Sequence, residues 1–183
     1  MVLSLLISFF ILGTIIGSFL NVVLYRYNTG RTLGGRSMCF SCKRKLGVLD
    51  LVPILSFAVF RGRCRTCGSK ISWQYPLVEL ATGVLFASSA YYFSANIAHT
   101  TIFLVQILYT LIIMSALVLI TVYDLRHKII PDIFAFIFGA VSLAGLFIVF
   151  DNFGDFHIVL PRALDLASGI IVAFPFYFLW RVS

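Results

Sequence analysis

The chain has 183 residues, of which 61% are hydrophobic and 11% charged, and its formal net charge is +7. Its mean hydropathy of +1.03 is well above the range of water-soluble domains. The composition excludes an ordinary soluble domain and predicts an all-α integral membrane protein.

The first predicted element is a transmembrane helix over residues 1–25, a stretch without any charged side chain. A removable signal peptide has a basic start, a shorter apolar run and a cleavage site of small residues, and this segment has none of these. We therefore expect the first helix to be retained.

A loop domain is predicted next, over residues 26–75, and it contains two Cys-x-x-Cys motifs. Four thiolates on two tight turns are the ligands that zinc prefers in a closed structural site, and Gly68 suits the turn after the second motif. Two disulfides or four free thiols are the alternatives, and a redox pair is disfavoured because neither motif lies in a βαβ pattern. The predicted zinc ligands are Cys39, Cys42, Cys64 and Cys67.

The loop is strongly basic, because residues 26–70 contain 10 of the 14 lysines and arginines and a single acid, Asp50. The positive-inside rule therefore places the loop in the cytoplasm and the N-terminus outside. A reducing cytosol disfavours the disulfide alternative. Since membrane topology and anionic lipids explain the charge, we expect no nucleic-acid partner.

Within this loop, residues 51–60 form an apolar stretch that is interrupted by Pro53. The stretch is too short to cross a bilayer, which makes it typical of an interfacial segment. We expect it to lie against the membrane, with the arginines that follow it facing lipid phosphates.

Four further transmembrane helices are predicted in the membrane core, residues 76–183. Their approximate ranges are 76–93, 100–123, 132–150 and 162–181. A turn at 94–99 separates the first two, and a short basic turn follows the second on the cytoplasmic side. The sequence thus predicts about five transmembrane helices in a lipid bilayer, with the loop domain between the first and second.

Three acids lie close to predicted membrane boundaries, where ionisable groups often have a function. Asp124 ends the third span at the cytoplasmic boundary, and it is either catalytic or a helix-end acid paired with Arg126 or Lys128. Asp132 and Glu79 lie near helix N-termini, where an acid is favoured by the helix dipole.

Several motifs together resemble the bacterial prepilin peptidases, aspartic peptidase family A24. These motifs are the two cysteine pairs and the segments Gly17-Ser-Phe-Leu-Asn21, Tyr75-Pro-Leu-Val-Glu79, Asp124-Leu-Arg and Ile130-Pro-Asp132. They occur in order over about residues 13–135 and are specific enough to make chance similarity a poor explanation.

The resemblance implies an aspartic endopeptidase of the inner membrane that cleaves the leader of type IV prepilins or pseudopilins after a glycine, at the cytoplasmic face. Many members also methylate the new N-terminus with S-adenosylmethionine. Asp124 matches the first catalytic aspartate, and Glu79 is a candidate for binding the basic leader.

The family's second catalytic aspartate lies in a Gly-x-Gly-Asp motif, which this sequence does not contain before Ser183. Asn152-Phe-Gly-Asp155 lies on the wrong face, and Asp132 is a weak substitute. We therefore expect a fragment that is inactive alone.

A non-proteolytic membrane zinc protein, acting as a methyltransferase or an assembly scaffold, is the alternative function. A transporter is disfavoured because no charged residue lies mid-span.

Overall fold

The computed structural model describes residues 2–27, 29, 32, 34–96, 100–146, 148–150, 156–158 and 167. The chain divides into two compact units, residues 1–138 and 139–183. The predicted helix at 162–181 and the Asn152-Phe-Gly-Asp155 string lie outside the described residues, except for Ala167 within that helix.

The described residues are predominantly helical, as predicted. Five α-helices and a short 3₁₀ turn over Val48–Asp50 are followed by two short strands. The elements are α1 Val2–Arg26, α2 Leu55–Val59, α3 Gln74–Asn96, α4 Thr100–His127, α5 Asp132–Leu146, β1 Ile148–Phe150 and β2 Phe156–Ile158.

Two helix ends differ from the predictions. Helix α4 was predicted over about 100–123 and extends to His127, so that Asp124 lies on its last turn. The helix predicted over 132–150 ends at Leu146, and β1 then pairs antiparallel with β2. Ile148-Val-Phe150 is a β-branched and aromatic run that favours an extended strand over a longer helix.

Among the residues that the structure describes, two segments are long and apolar enough to cross a membrane, Val2–Arg26 and Phe103–His127, with mean hydropathies of 2.3 and 2.5. The apolar part of α5, Asp132–Gly145, is shorter. Helix α3 packs along α1 and has Leu77, Leu80 and Val84 exposed. This arrangement is consistent with the predicted all-α membrane protein.

Glycines allow α1 and α3 to approach closely. A Cβ atom on Gly13 would lie 2.6 Å from the Thr82 carbonyl oxygen, and one on Gly17 would lie 2.8 Å from the Glu79 Cα. Small residues four apart are a common interface between membrane helices. Our sequence prediction missed this contact, although the Gly-x-x-x-Gly spacing of Gly13 and Gly17 is the signal that identifies it.

Three buried clusters run along the interface of α1, α3 and α4. The last of them joins Leu24 of α1, Tyr123 of α4 and Phe134 of α5. The C-terminal ends of α1 and α4 therefore meet the N-terminal end of α5. This packing brings the loop domain and the last turn of α4 to the same end of the bundle.

Candidate functional site

The four predicted ligands converge. The Sγ atoms of the four cysteines all lie within 4.8 Å of one another. The Sγ atoms of Cys39 and Cys67 are 3.8 Å apart, and the cysteines are free rather than disulfide-bonded. Cys64 is buried, whereas Cys42 and Cys67 are exposed at the rim. The loop therefore presents a preformed set of four sulfur donors that can hold one metal ion.

The two cysteine turns share one backbone conformation. In the first, the Cys39 carbonyl accepts the Lys43 N–H at 3.0 Å, and the Cys39 N–H donates to the Arg44 carbonyl at 3.0 Å. In the second, Cys64 makes the equivalent bonds to Gly68 at 2.9 Å and Ser69 at 2.8 Å. Each turn is thus closed by the same pair of backbone hydrogen bonds around its first cysteine.

Lys43 and Gly68 occupy the same position in these turns, and both have left-handed backbones, with φ of 59° and 69°. Gly68 adopts this conformation without steric cost, as predicted for the second turn. In the first turn a lysine carries the strain.

The Ser69 hydroxyl is the polar neighbour that the thiols share. Its Oγ lies 3.2 Å from the Cys67 Sγ and 3.6 Å from the Cys39 Sγ. Hydrogen bonds from the Cys42 N–H and Ser69 lower the pKa of Cys39 to about 6. Ser69 likewise lowers the pKa of Cys67. These contacts favour thiolates, the form that binds metal.

The Cys42 thiol shows the opposite shift. The Arg44 N–H favours its thiolate, but desolvation and the neighbouring Cys67 and Cys39 thiols raise its pKa to about 11. Four negative sulfurs this close repel one another, and a divalent cation at their centre removes that repulsion. The electrostatics of the cluster therefore favour a bound cation.

The first cysteine turn is braced by Asp50. Its carboxylate accepts the Gly47 N–H at 2.9 Å and pairs with the Arg44 guanidinium at 2.9 Å. The Gly47 N–H and Arg44 together lower the pKa of Asp50. Asp50 therefore stays ionised at neutral pH and fixes the chain as it leaves the first turn.

Glu79 links the loop domain to α3. Its side chain is buried, and its carboxylate accepts the Ile54 N–H at 2.7 Å. Ile54 has a φ of 60°, an unusual value for a β-branched residue. Glu79 thus holds a strained backbone at the start of α2. A role for Glu79 in leader binding stays a prediction.

Asp124 is half-buried on the last turn of α4, and Asp132 is exposed as the first residue of α5. Within the described ranges the structure contains one ion pair, Arg44–Asp50, so Asp124 is not paired there with Arg126 or Lys128. Asp132 fits its expected place at a helix N-terminus. The described residues therefore do not support the alternative in which Asp124 is a helix-end acid paired with a neighbouring basic residue.

Arg126 is instead held by an aromatic cluster that our sequence prediction missed. Its guanidinium lies 4.0 Å from the ring centroid of Tyr25. Tyr25 stacks on Tyr75 at 5.0 Å and also contacts Phe40 of the first cysteine turn at 5.6 Å. Tyr25 therefore connects the loop domain, α1, α3 and the last turn of α4.

A cavity of about 1010 Å³ lies between the loop domain and the adjoining ends of α1 and α3. Tyr25, Asp50, Tyr75 and Glu79 contribute to its wall. Asn21 also lines it, and this fully buried side chain has no hydrogen-bond partner for its Oδ1 atom. A buried acceptor without a donor suggests that the cavity receives a polar ligand or water.

Residues 11–93 match the model of the bacterial peptidase A24 N-terminal domain. This part of the chain is a bacterial A24 N-terminal domain. This confirms the resemblance drawn from the motifs, since the matched residues include the C-terminal part of the first helix, both cysteine pairs and Glu79, although not Asp124.

Curated relatives of this A24 chain include proteins named prepilin leader peptidase/N-methyltransferase. The one from Myxococcus xanthus is 38% identical over 67% of this chain and 34% of its own length. That from Bacillus subtilis is 33% identical over 67% of this chain and 47% of its own length. That from Pectobacterium carotovorum is 27% identical over 94% of this chain and 65% of its own length.

The chain spans between a third and about half of the first relatives' length, 34% to 54%. No solved structure matches it significantly.

Proposed function

We propose that this A24 chain acts in prepilin processing, as an aspartic endopeptidase that removes the leader of type IV prepilins or pseudopilins after a glycine. The observation that carries the proposal is the similarity to named prepilin leader peptidases, which extends over up to 94% of the chain. The substrate would be a prepilin or pseudopilin presented at the cytoplasmic face of the bacterial inner membrane.

Asp124 is the proposed catalytic carboxylate of this chain. Peptide hydrolysis by carboxylates needs one ionised group to take a proton from water and one protonated group to polarise the scissile carbonyl. Asp124 lies at the end of α4 that faces the loop domain, and Arg126 is held by Tyr25 instead of pairing with it. The second carboxylate would be the one in the family's Gly-x-Gly-Asp motif.

Zinc is the proposed ion of the four-cysteine cluster. Tetrahedral zinc with Zn–S bonds of about 2.3 Å requires sulfurs separated by about 3.8 Å. The Cys39 and Cys67 Sγ atoms are already 3.8 Å apart. A set of four cysteines leaves no open position, which supports a structural rather than a catalytic ion.

S-adenosylmethionine is the proposed cofactor for methylation of the new N-terminus, to which it would supply the methyl group. The cavity beside the loop domain, at about 1010 Å³, is large enough for a ligand of that size. The unpartnered Asn21 Oδ1 would accept a hydrogen bond from it.

The proposal is tested by expressing the full-length gene, including the segment with the second catalytic carboxylate, in a host that lacks its own prepilin peptidase, together with a prepilin substrate. We expect Asp124→Asn to abolish leader removal on an immunoblot, because the amide cannot exchange the proton. Asp132→Asn is the matched control and should still process the substrate.

Full processing by Asp124→Asn would reject the catalytic assignment. The alternative outcome is that neither the wild type nor the variants cleave the leader, while a pilin supplied without its leader still becomes methylated at its N-terminus. In that case the non-proteolytic zinc protein is the better description.

A further inference from the structure

An apolar groove lies between α2 and the first turns of α3. Its volume is about 470 Å³. The wall includes Ile54, Phe57, Arg61, Trp73, Leu77 and Leu80. The rings of Phe57 and Trp73 meet at 4.8 Å and form its floor.

The groove opens onto an exposed apolar surface. On α2, Leu55 is 63% exposed and Val59 is 71% exposed, and Trp73 before α3 is 69% exposed. Leu77, Leu80 and Val84 continue this surface along α3. Their spacing places them on one stripe of the helix, directed away from α1. The groove is therefore continuous with a face that suits lipid.

Arg61 is the charged residue of the groove wall. Asp50 is the single acid between Arg26 and Lys70, and it is paired with Arg44. No acid therefore remains in the loop to neutralise Arg61. This charge complements a phosphate group.

Arg61 is held at the rim by a tight turn. The turn has left-handed backbones at Arg61 and Gly62, with φ of 52° and 67°. A Cβ atom on Gly62 would lie 2.8 Å from the Phe57 ring, so the backbone folds directly onto the groove floor. The position of Arg61 relative to the apolar wall is thus built into the fold.

We propose that the groove binds one anionic phospholipid of the surrounding bilayer, with an acyl chain against Phe57, Trp73 and Leu77 and the phosphate at Arg61. The lipid would dock the metal-binding loop on the membrane surface. Charge favours an anionic headgroup over a zwitterionic one, and the exposed tryptophan is typical of a membrane interface. This inference does not rest on the proposed peptidase activity.

Trp73 itself provides the test, because the chain contains only two tryptophans. With Trp180→Phe in the background, the full chain is reconstituted in nanodiscs containing brominated phosphatidylglycerol or brominated phosphatidylcholine at equal mole fraction. We expect phosphatidylglycerol to quench Trp73 fluorescence more strongly. Removal of one interfacial arginine should weaken anionic lipid binding about fivefold, so Arg61→Gln should abolish the preference.

Arg61→Lys, which retains the charge, and Arg36→Gln, an exposed arginine outside the groove, should both keep the preference. Bound metal is measured in each variant to show that the loop has folded. Equal quenching by the two lipids, or a preference that survives Arg61→Gln, would overturn the specific site. Unquenched Trp73 in both lipids would overturn the membrane contact itself.

Discussion

Lys43 and Gly68 occupy equivalent positions in the two cysteine turns, but the shared backbone conformation costs them different amounts. A left-handed backbone costs a non-glycine residue about 1 to 2 kcal/mol. Nothing lies within 4 Å of a Cβ atom placed on Gly68, so a side chain there would meet conformational strain without a clash. Substitutions at these two positions can therefore remove strain from the first turn or add it to the second.

We predict that Lys43→Gly strengthens zinc binding and that Gly68→Ala weakens it, each by up to about fivefold, or about 1 kcal/mol. Because folding of the turns and metal binding are coupled, strain in a turn reduces the apparent affinity. Zinc stoichiometry and chelator competition on the purified protein measure both effects.

Lys43→Ala is the control for the loss of lysine charge, since alanine keeps the strained backbone. An affinity gain in Lys43→Ala as large as in Lys43→Gly would assign the effect to charge. Cys64→Ser should remove the ion altogether, and unchanged zinc in that variant would contradict a four-cysteine site.

Helices α1 and α3 depend on the absence of side chains at their contact. We predict that Gly13→Ala and Gly17→Ala each destabilise the helix pair by about 1 to 3 kcal/mol, because the added methyl group overpacks the interface. The Gly13 Cβ would lie 2.6 Å from a backbone oxygen that has little freedom to move. Thermal unfolding in detergent, followed by loss of helical circular dichroism, measures the change.

Gly139→Ala is the matched control, because no atom lies within 4 Å of a Cβ at that helical glycine. Alanine has the higher helix propensity, so this variant should be neutral or slightly more stable. If all three variants behave alike, close packing at Gly13 and Gly17 is not what holds α1 against α3.

The sequence predicted the elements whose signals are local. Apolar length indicated α1 and α4, and the cysteine spacing indicated the turns that carry the thiols. The contacts between elements were beyond such reasoning. The Glu79 carboxylate and the Ile54 N–H are separated by 25 residues, and no spacing rule pairs an acid with one particular backbone amide. The end of α5 was also misjudged, because an apolar run by itself does not distinguish helix from strand.

At the scale of the molecule, one continuous set of contacts connects the metal-binding loop with the last turn of α4. Phe40 of the first cysteine turn contacts Tyr25, and Tyr25 lies beneath Arg126, two residues beyond Asp124. A cation held on an aromatic face gains about 0.5 to 2 kcal/mol. The loop domain thus helps to determine whether Arg126 stays on Tyr25 or becomes free to pair with the proposed catalytic carboxylate.

We predict that Tyr25→Leu lowers the rate of leader cleavage about 2- to 30-fold, the rate equivalent of losing this cation–π energy, whereas Tyr25→Phe retains most of it. The phenylalanine ring still holds the guanidinium, but leucine releases Arg126 to neutralise Asp124. The measurement is the initial rate of prepilin processing. Adding Arg126→Gln to Tyr25→Leu should restore activity, because the competing cation is gone. A double variant as slow as Tyr25→Leu would mean that Tyr25 acts through packing against Phe40 and Tyr75 and not through Arg126.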